Sequence, residues 1–172
     1  VSTTGYTGSG GCEIYMDNED ADIVWNAVFD AGAEYDIKPA GLAARDTLRL
    51  EMGFCLYGHE IDETISPIEA GLGWITKFNE GNKFINYDNL LSQKENGVTR
   101  MIRGFEMIDR AIPRQDYNIT DQNGVVIGKV VSGTMGPSIK KGIGTGLINK
   151  EFTKLGTEIY IEIRGKLNKA VI

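Results

Sequence analysis

Arg45 and Arg49 stand four residues apart in the run Gly41-Leu42-Ala43-Ala44-Arg45-Asp46-Thr47-Leu48-Arg49-Leu50-Glu51, and Leu56-Tyr57-Gly58-His59-Glu60-Ile61-Asp62 follows shortly after. On a helix, residues at i and i+4 share a face, so two guanidinium groups there repel by roughly 0.2–0.5 kcal/mol. Asp46 relieves Arg49 at i+3, whereas Arg45 has no acid at i+3 or i+4. Spacing leaves two readings open. Both arginines lie on the surface, partly neutralised by Asp46 and Glu51, or Arg45 presents its planar donors to a carboxylate or a heterocycle.

Other chemistry-bearing residues are sparse. Gly5-Tyr6-Thr7-Gly8-Ser9-Gly10-Gly11 has the backbone freedom for a tight turn or a close approach to a ligand. No Gly-Lys-Ser/Thr follows it, and the next segment alternates like a strand, so it does not read as a phosphate loop. His59 is the sole histidine. It lacks the partners of a zinc site or a Ser-His-Asp arrangement and reads as a loop residue outside the chemistry. Glu60, Asp62 and Glu63 are formal acid or base candidates, but carboxylates in a polar loop are expected to be solvated.

These residues need elements to hold them. Cys12, Ile14 and Met16 alternate with Glu13, Tyr15 and Asp17, the period of a half-buried strand. Asn18 to Asp20 offer capping oxygens, and Val24, Val28, Ala31 and Tyr35, flanked by Trp25 and Phe29, predict an amphipathic helix ending near Asp36. Pro39 suits the start of a second helix, with Ala44, Leu48 and Met52 as its buried stripe and Gly53 as its stop. A third helix is expected over Phe84 to Lys94. Short β-type runs then follow at Met101–Ile108, Tyr117–Thr120, Val125–Val131, Ile143–Ile148, Glu158–Ile163 and Lys166–Ile172, with Asn123-Gly124 as a type I′ hairpin turn. Six such runs predict an antiparallel barrel or sandwich. The expected class is α+β, with an α/β-layer part over residues 1–78 and a small antiparallel β-barrel domain over 79–172.

Composition narrows the function. The chain has 172 residues, 41% of them hydrophobic, enough for a real core. With 18 basic and 24 acidic residues and a net charge of −6, it carries no electrostatic footprint for nucleic acid. No run approaches the roughly 18 apolar residues of a membrane-spanning helix. Cys12 and Cys55 fit a reducing, cytoplasmic setting at least as well as a single disulfide, and nothing pairs them as metal ligands. The chain opens on Val1 in front of a glycine-rich turn and stops in what reads as a strand, as a piece of a longer protein would.

Taken together, Gly5-Tyr6-Thr7-Gly8, the run at 41–51, Leu56-Tyr57-Gly58 with Ile61-Asp62-Glu63, Ser66-Pro67-Ile68-Glu69 and Gly71-Leu72-Gly73-Trp74 resemble the glycine cleavage T-protein family, the aminomethyltransferases. Gly128-Lys129-Val130-Val131-Ser132-Gly133 and Pro137-Ser138-Ile139-Lys140-Lys141 continue the resemblance as a strand, a Ser-Gly turn and a Pro-Ser loop of the family's C-terminal domain. Two folate-dependent relatives fit less well. The iron–sulfur-assembly folate proteins carry a Lys-Gly-Cys-x-x-Gly-Gln motif absent here, and the modules of dimethylglycine and sarcosine dehydrogenases usually have Trp-Gly where this chain has Tyr57-Gly58. A folate-binding or interaction module without turnover is the other alternative.

The resemblance implies an enzyme that moves the aminomethyl group from the lipoyl arm of the H-protein to tetrahydrofolate, releasing ammonia and 5,10-methylenetetrahydrofolate, with no metal. It implies that this chain is about the C-terminal half, inactive alone, and that the catalytic aspartate lies in the other half, so no catalytic residue falls here. It carries folate binding to Arg45, a polar contact in the family, and to Phe54, at the place of an aromatic near the ligand. Ser9 stands where many members have a glutamate that hydrogen-bonds folate. Serine keeps a hydrogen bond there and loses the ionised acceptor.

Overall fold

The architecture is set by where alternating residues find a ladder partner, and the computed structural model describes all of residues 1–172. Helix α1 spans Ala21–Gly32, α2 Leu42–Glu51 and α3 Tyr87–Asn96. Strands β1 Arg100–Met107, β2 Asn118–Thr120, β3 Val126–Met135, β4 Gly142–Asn149, β5 Glu158–Ile163 and β6 Lys166–Val171 close into an antiparallel barrel in the order β1-β4-β3-β2-β5-β6. The α+β class and the barrel expected from the sequence are both present.

Alternation fills the barrel. Phe105, Met107, Ile119, Ile127, Val130, Ile148, Ile159, Ile161 and Ala170 form one buried cluster, and strand alternation sends them inward from all six strands. Glycines let the wall approach itself closely: a Cβ at Gly144 would lie 2.7 Å from the Ser132 carbonyl oxygen and 2.5 Å from Phe105 Cζ. A second small cluster, Ile65, Ala70 and Ile102 with Val131 and Leu147 against it, joins the segment after α2 to the barrel. Asp62 fixes that segment by accepting the amides of Thr64 and Ile65. Glu69 accepts the Ser66 amide and pairs with Arg100 at 2.8 Å. Between α2 and the barrel, Phe78 packs on Phe84 and Tyr87, with ring centroids 5.6 and 5.4 Å away.

Several expectations change. The segment Cys12–Met16 makes only an isolated bridge, Ser2 to Glu13, and Ile14, Tyr15 and Met16 stay exposed, because no second strand lies beside them. Helix α1 forms where predicted but buries none of its residues. Asn18–Asp20 make a 3-10 turn without a side-chain capping bond. Pro39 does not start α2; Gly41, with φ −87° and ψ 171°, is its N-cap. The buried residues of α2 are Arg49 and Leu50, while Ala44 and Met52 are exposed. The helix turns its face toward β3 and β4, and the arginine brought there is neutralised rather than excluded.

The Gly53 stop holds. With Gly53 at φ 70°, its amide bonds to the Leu50 carbonyl, and the Phe54 amide bonds to the Arg49 carbonyl at 2.9 Å, the paired closure of a Schellman motif. In the barrel, Ser132-Gly133 is not a turn but the middle of β3. At Asn123-Gly124 only Gly124 has positive φ, since the Asp121 carboxylate gathers the amides of Asn123 and Val125 into a different turn. The two successive positive φ angles of a type I′ hairpin occur instead at Arg164-Gly165, between β5 and β6.

Candidate functional site

Arg45 and Arg49 leave α2 into different environments. Arg45 is exposed, and its guanidinium carbon sits 4.4 Å from the centroid of the Tyr6 ring. Phe54, placed by the Schellman turn, stacks on Tyr6, with centroids 5.8 Å apart and planes inclined by 27°. The Tyr6 hydroxyl donates to the Cys55 carbonyl. Burial pushes the Tyr6 phenol up against the opposing pull of Arg49 and Arg45, so it remains a neutral donor. Gly8, at φ 81°, lies against Met52, where a Cβ would strike the thioether. The opening turn is thereby folded onto the C-terminal end of α2.

This group brings together two of the three residues singled out from the sequence. Arg45 and Phe54 meet through Tyr6, a residue read only as part of a turn motif and not as a contact. No local periodicity marks it, because its partners lie 39 and 48 positions away. Ser9 is exposed in the same turn, three residues after Tyr6, and its hydroxyl makes no hydrogen bond within the chain. Arg45 has no acid within ion-pairing distance. A planar cation with unfilled donors, backed by an aromatic face and flanked by a second ring, suits a ligand that combines negative charge with a flat apolar part.

Arg49 does something else. Its side chain is 0% exposed and that of Glu60 1%, and Arg49 Nη1 lies 2.9 Å from Glu60 Oε2. Arg49 also pairs with Asp46 at 2.7 Å, donates to the Phe54 carbonyl at 3.1 Å and donates to Ser132 Oγ at 2.8 Å. Glu60 accepts the Leu56 amide and the Thr145 hydroxyl. Burial alone would raise the Glu60 carboxyl. The bonds from Thr145, the Leu56 amide and Ser132, with the Arg49 charge, outweigh it and hold the group below the usual carboxylate range. His59 Nδ1 lies 3.0 Å from the Val131 carbonyl and 3.1 Å from Ser132 Oγ. The ring is thus a tether to β3, with Nδ1–H donating to the carbonyl.

A β-bulge makes this reach possible. The β3–β4 register shifts between Val130 and Ser132. In a regular strand those two residues would share a face. Here Val130 packs in the barrel core, while Ser132 turns outward to Arg49 and Val131 packs against the Ile65 cluster. The expectation of solvated loop acids therefore fails for Glu60, whose partners come from α2 and β4, and the surface reading fails for Arg49. Asp62 caps a turn, and Glu63 is exposed. No group of three or more His, Cys, Asp or Glu side chains is placed to hold a metal ion, and no helix is long and apolar enough to cross a membrane.

Comparison with known proteins adds ancestry to this geometry. Residues 1–80 match the family model described as the GCVT N-terminal domain, and residues 100–172 match that of the glycine cleavage T-protein C-terminal barrel domain. The chain is 58% identical to an aminomethyltransferase of Bacteroides thetaiotaomicron over 172 residues, all of this chain and 48% of that protein. It is 60% identical to one of Flavobacterium psychrophilum over 164 residues, 95% of this chain and 45% of that protein. The crystal structure of glycine cleavage system aminomethyltransferase T from Bartonella henselae superimposes with a TM-score of 0.91 at 32% identity, covering 99% of this chain and 47% of that one. The chain spans about half the length of the relatives it matches.

Proposed function

Because the chain belongs to the glycine cleavage T-protein family, we propose that the full-length protein containing it is an aminomethyltransferase. It takes the aminomethyl group from the lipoyl arm of the H-protein, passes it to tetrahydrofolate and releases ammonia. Tetrahydrofolate is a co-substrate here, and a cytoplasmic setting suits the two free thiols, Cys12 and Cys55. The reaction needs two reactants held in one geometry while the folate amine attacks the aminomethyl carbon. This chain's part is binding and orientation, and the acid–base carboxylate is assigned to the other half of the protein.

The observation that carries the reading is Arg45, unpaired and laid over Tyr6 with Phe54 behind it. A folate presents carboxylates and flat rings, which match a guanidinium and an aromatic wall in turn. Arg45 makes the polar contact, Phe54 supplies apolar contact to a ring, and Ser9 donates or accepts a neutral hydrogen bond from the neighbouring turn.

In the full-length enzyme, Arg45→Ala weakens tetrahydrofolate binding by roughly 10- to 100-fold in titration calorimetry, the scale of one charge-assisted hydrogen bond. Unchanged affinity removes Arg45 from the site. Ser9→Glu tightens binding if Ser9 faces the ligand, by restoring an ionised acceptor. Residues 1–172 alone show no aminomethyl transfer; turnover by this chain would contradict the division of labour.

A further inference from the structure

We propose that Tyr6 is a positioning residue for Arg45, its ring face fixing the plane in which the guanidinium meets the folate. The proposal rests on the folate reading above. Helix α2 places the Arg45 backbone, but a long side chain at an exposed position retains several rotatable bonds and the rotamer entropy that goes with them. No carboxylate restrains it, in contrast to Arg49, which is held by Asp46 and Glu60. The only aromatic ring under its guanidinium is Tyr6, 4.4 Å away.

The ring is itself fixed at two points. Its hydroxyl is tied to the Cys55 carbonyl, and Phe54 packs on it at 5.8 Å. Both anchors follow directly from the Gly53 turn that ends α2, so the platform and the arginine belong to one rigid piece of chain. A guanidinium held over an aromatic face keeps its edge donors free for a carboxylate or a heterocycle. Tyr6 thus sets the direction in which Arg45 meets the ligand.

The test uses the full-length enzyme and reads tetrahydrofolate affinity, KM and kcat for Tyr6→Phe and Tyr6→Leu, alone and with Arg45→Ala. Tyr6→Phe keeps the π face and stays within about twofold of the parent affinity, whereas Tyr6→Leu weakens it about 3- to 10-fold, mainly through KM. In the Arg45→Ala background Tyr6→Leu adds no further loss, because the interaction it removes is already gone. Unfolding midpoints of each variant are taken alongside. If Tyr6→Phe loses as much as Tyr6→Leu, the hydroxyl anchor matters and the ring face does not. If Tyr6→Leu costs the same with and without Arg45, it acts independently of Arg45. Either result overturns the proposal while the folate reading stands. Unchanged affinity in Arg45→Ala overturns the folate reading first.

Discussion

Arg49 and Glu60, eleven residues apart, meet at 2.9 Å with both side chains sealed from solvent. A buried charge pair of this kind is held less by its own attraction than by the hydrogen bonds that satisfy its remaining atoms. Those bonds come from β3 and β4, through Ser132 and Thr145.

Removing one partner alone strands a charge. Arg49→Met and Glu60→Leu are each expected to cost about 3–5 kcal/mol. The double variant is expected to cost much less than their sum, since no isolated charge remains. Urea unfolding of the four proteins gives the coupling directly, and additive losses would deny that the two groups act as a pair.

Acid should weaken the same junction. The Glu60 carboxyl is held below its ordinary value in the folded chain, and its unfolded value is about 4.3. The unfolded state therefore takes up the proton more readily. The stabilisation is fully present above about pH 5 and is lost as pH falls through the folded value. Thermal melts from pH 7 to 3 should show a falling midpoint, with a shallower fall in Glu60→Gln. Asp62 and Asp121, also held low by backbone amides, account for part of the slope that remains.

Gly144 is expected to tolerate no side chain. Its missing Cβ faces the Ser132 carbonyl oxygen and the tip of Phe105, one of them backbone that does not yield. Gly144→Ala should destabilise the barrel by about 1–3 kcal/mol, readable as a lower urea midpoint at unchanged slope.

Thr120 offers a gain. Its Oγ1 is fully buried and finds no partner among the protein's groups, an arrangement that costs about 1–3 kcal/mol in proteins. Thr120→Val keeps the branched shape and is expected to raise stability by about 1 kcal/mol. A loss instead would show that the hydroxyl is satisfied.

What the sequence made legible was local. Alternation located the six strands, and the i, i+4 pattern located α1, because a backbone period appears within a few residues of itself. The Gly53 stop was readable for the same reason. Long-range partnerships were not. Asp46 was visible as a neighbour of Arg49, but Glu60 and Ser132 come from other elements, and without them an arginine beside an acid looks like surface. The strand expected at Cys12–Met16 had the right period and no ladder to join. At Ser132-Gly133 a turn-like dipeptide lies inside β3, where the bulge, itself a product of register with β4, decides which way the serine points. The Arg45 contact was legible only as an unmatched charge, and its aromatic partner needed the chain to fold back on itself.

The bulge at Val131 has a consequence for how the molecule comes apart. Since it hands Ser132 to Arg49 while Thr145 serves Glu60, parting the helical portion from the barrel breaks both bonds together and floods one shared buried seam. The portions on either side of the junction should therefore melt together, as one calorimetric transition.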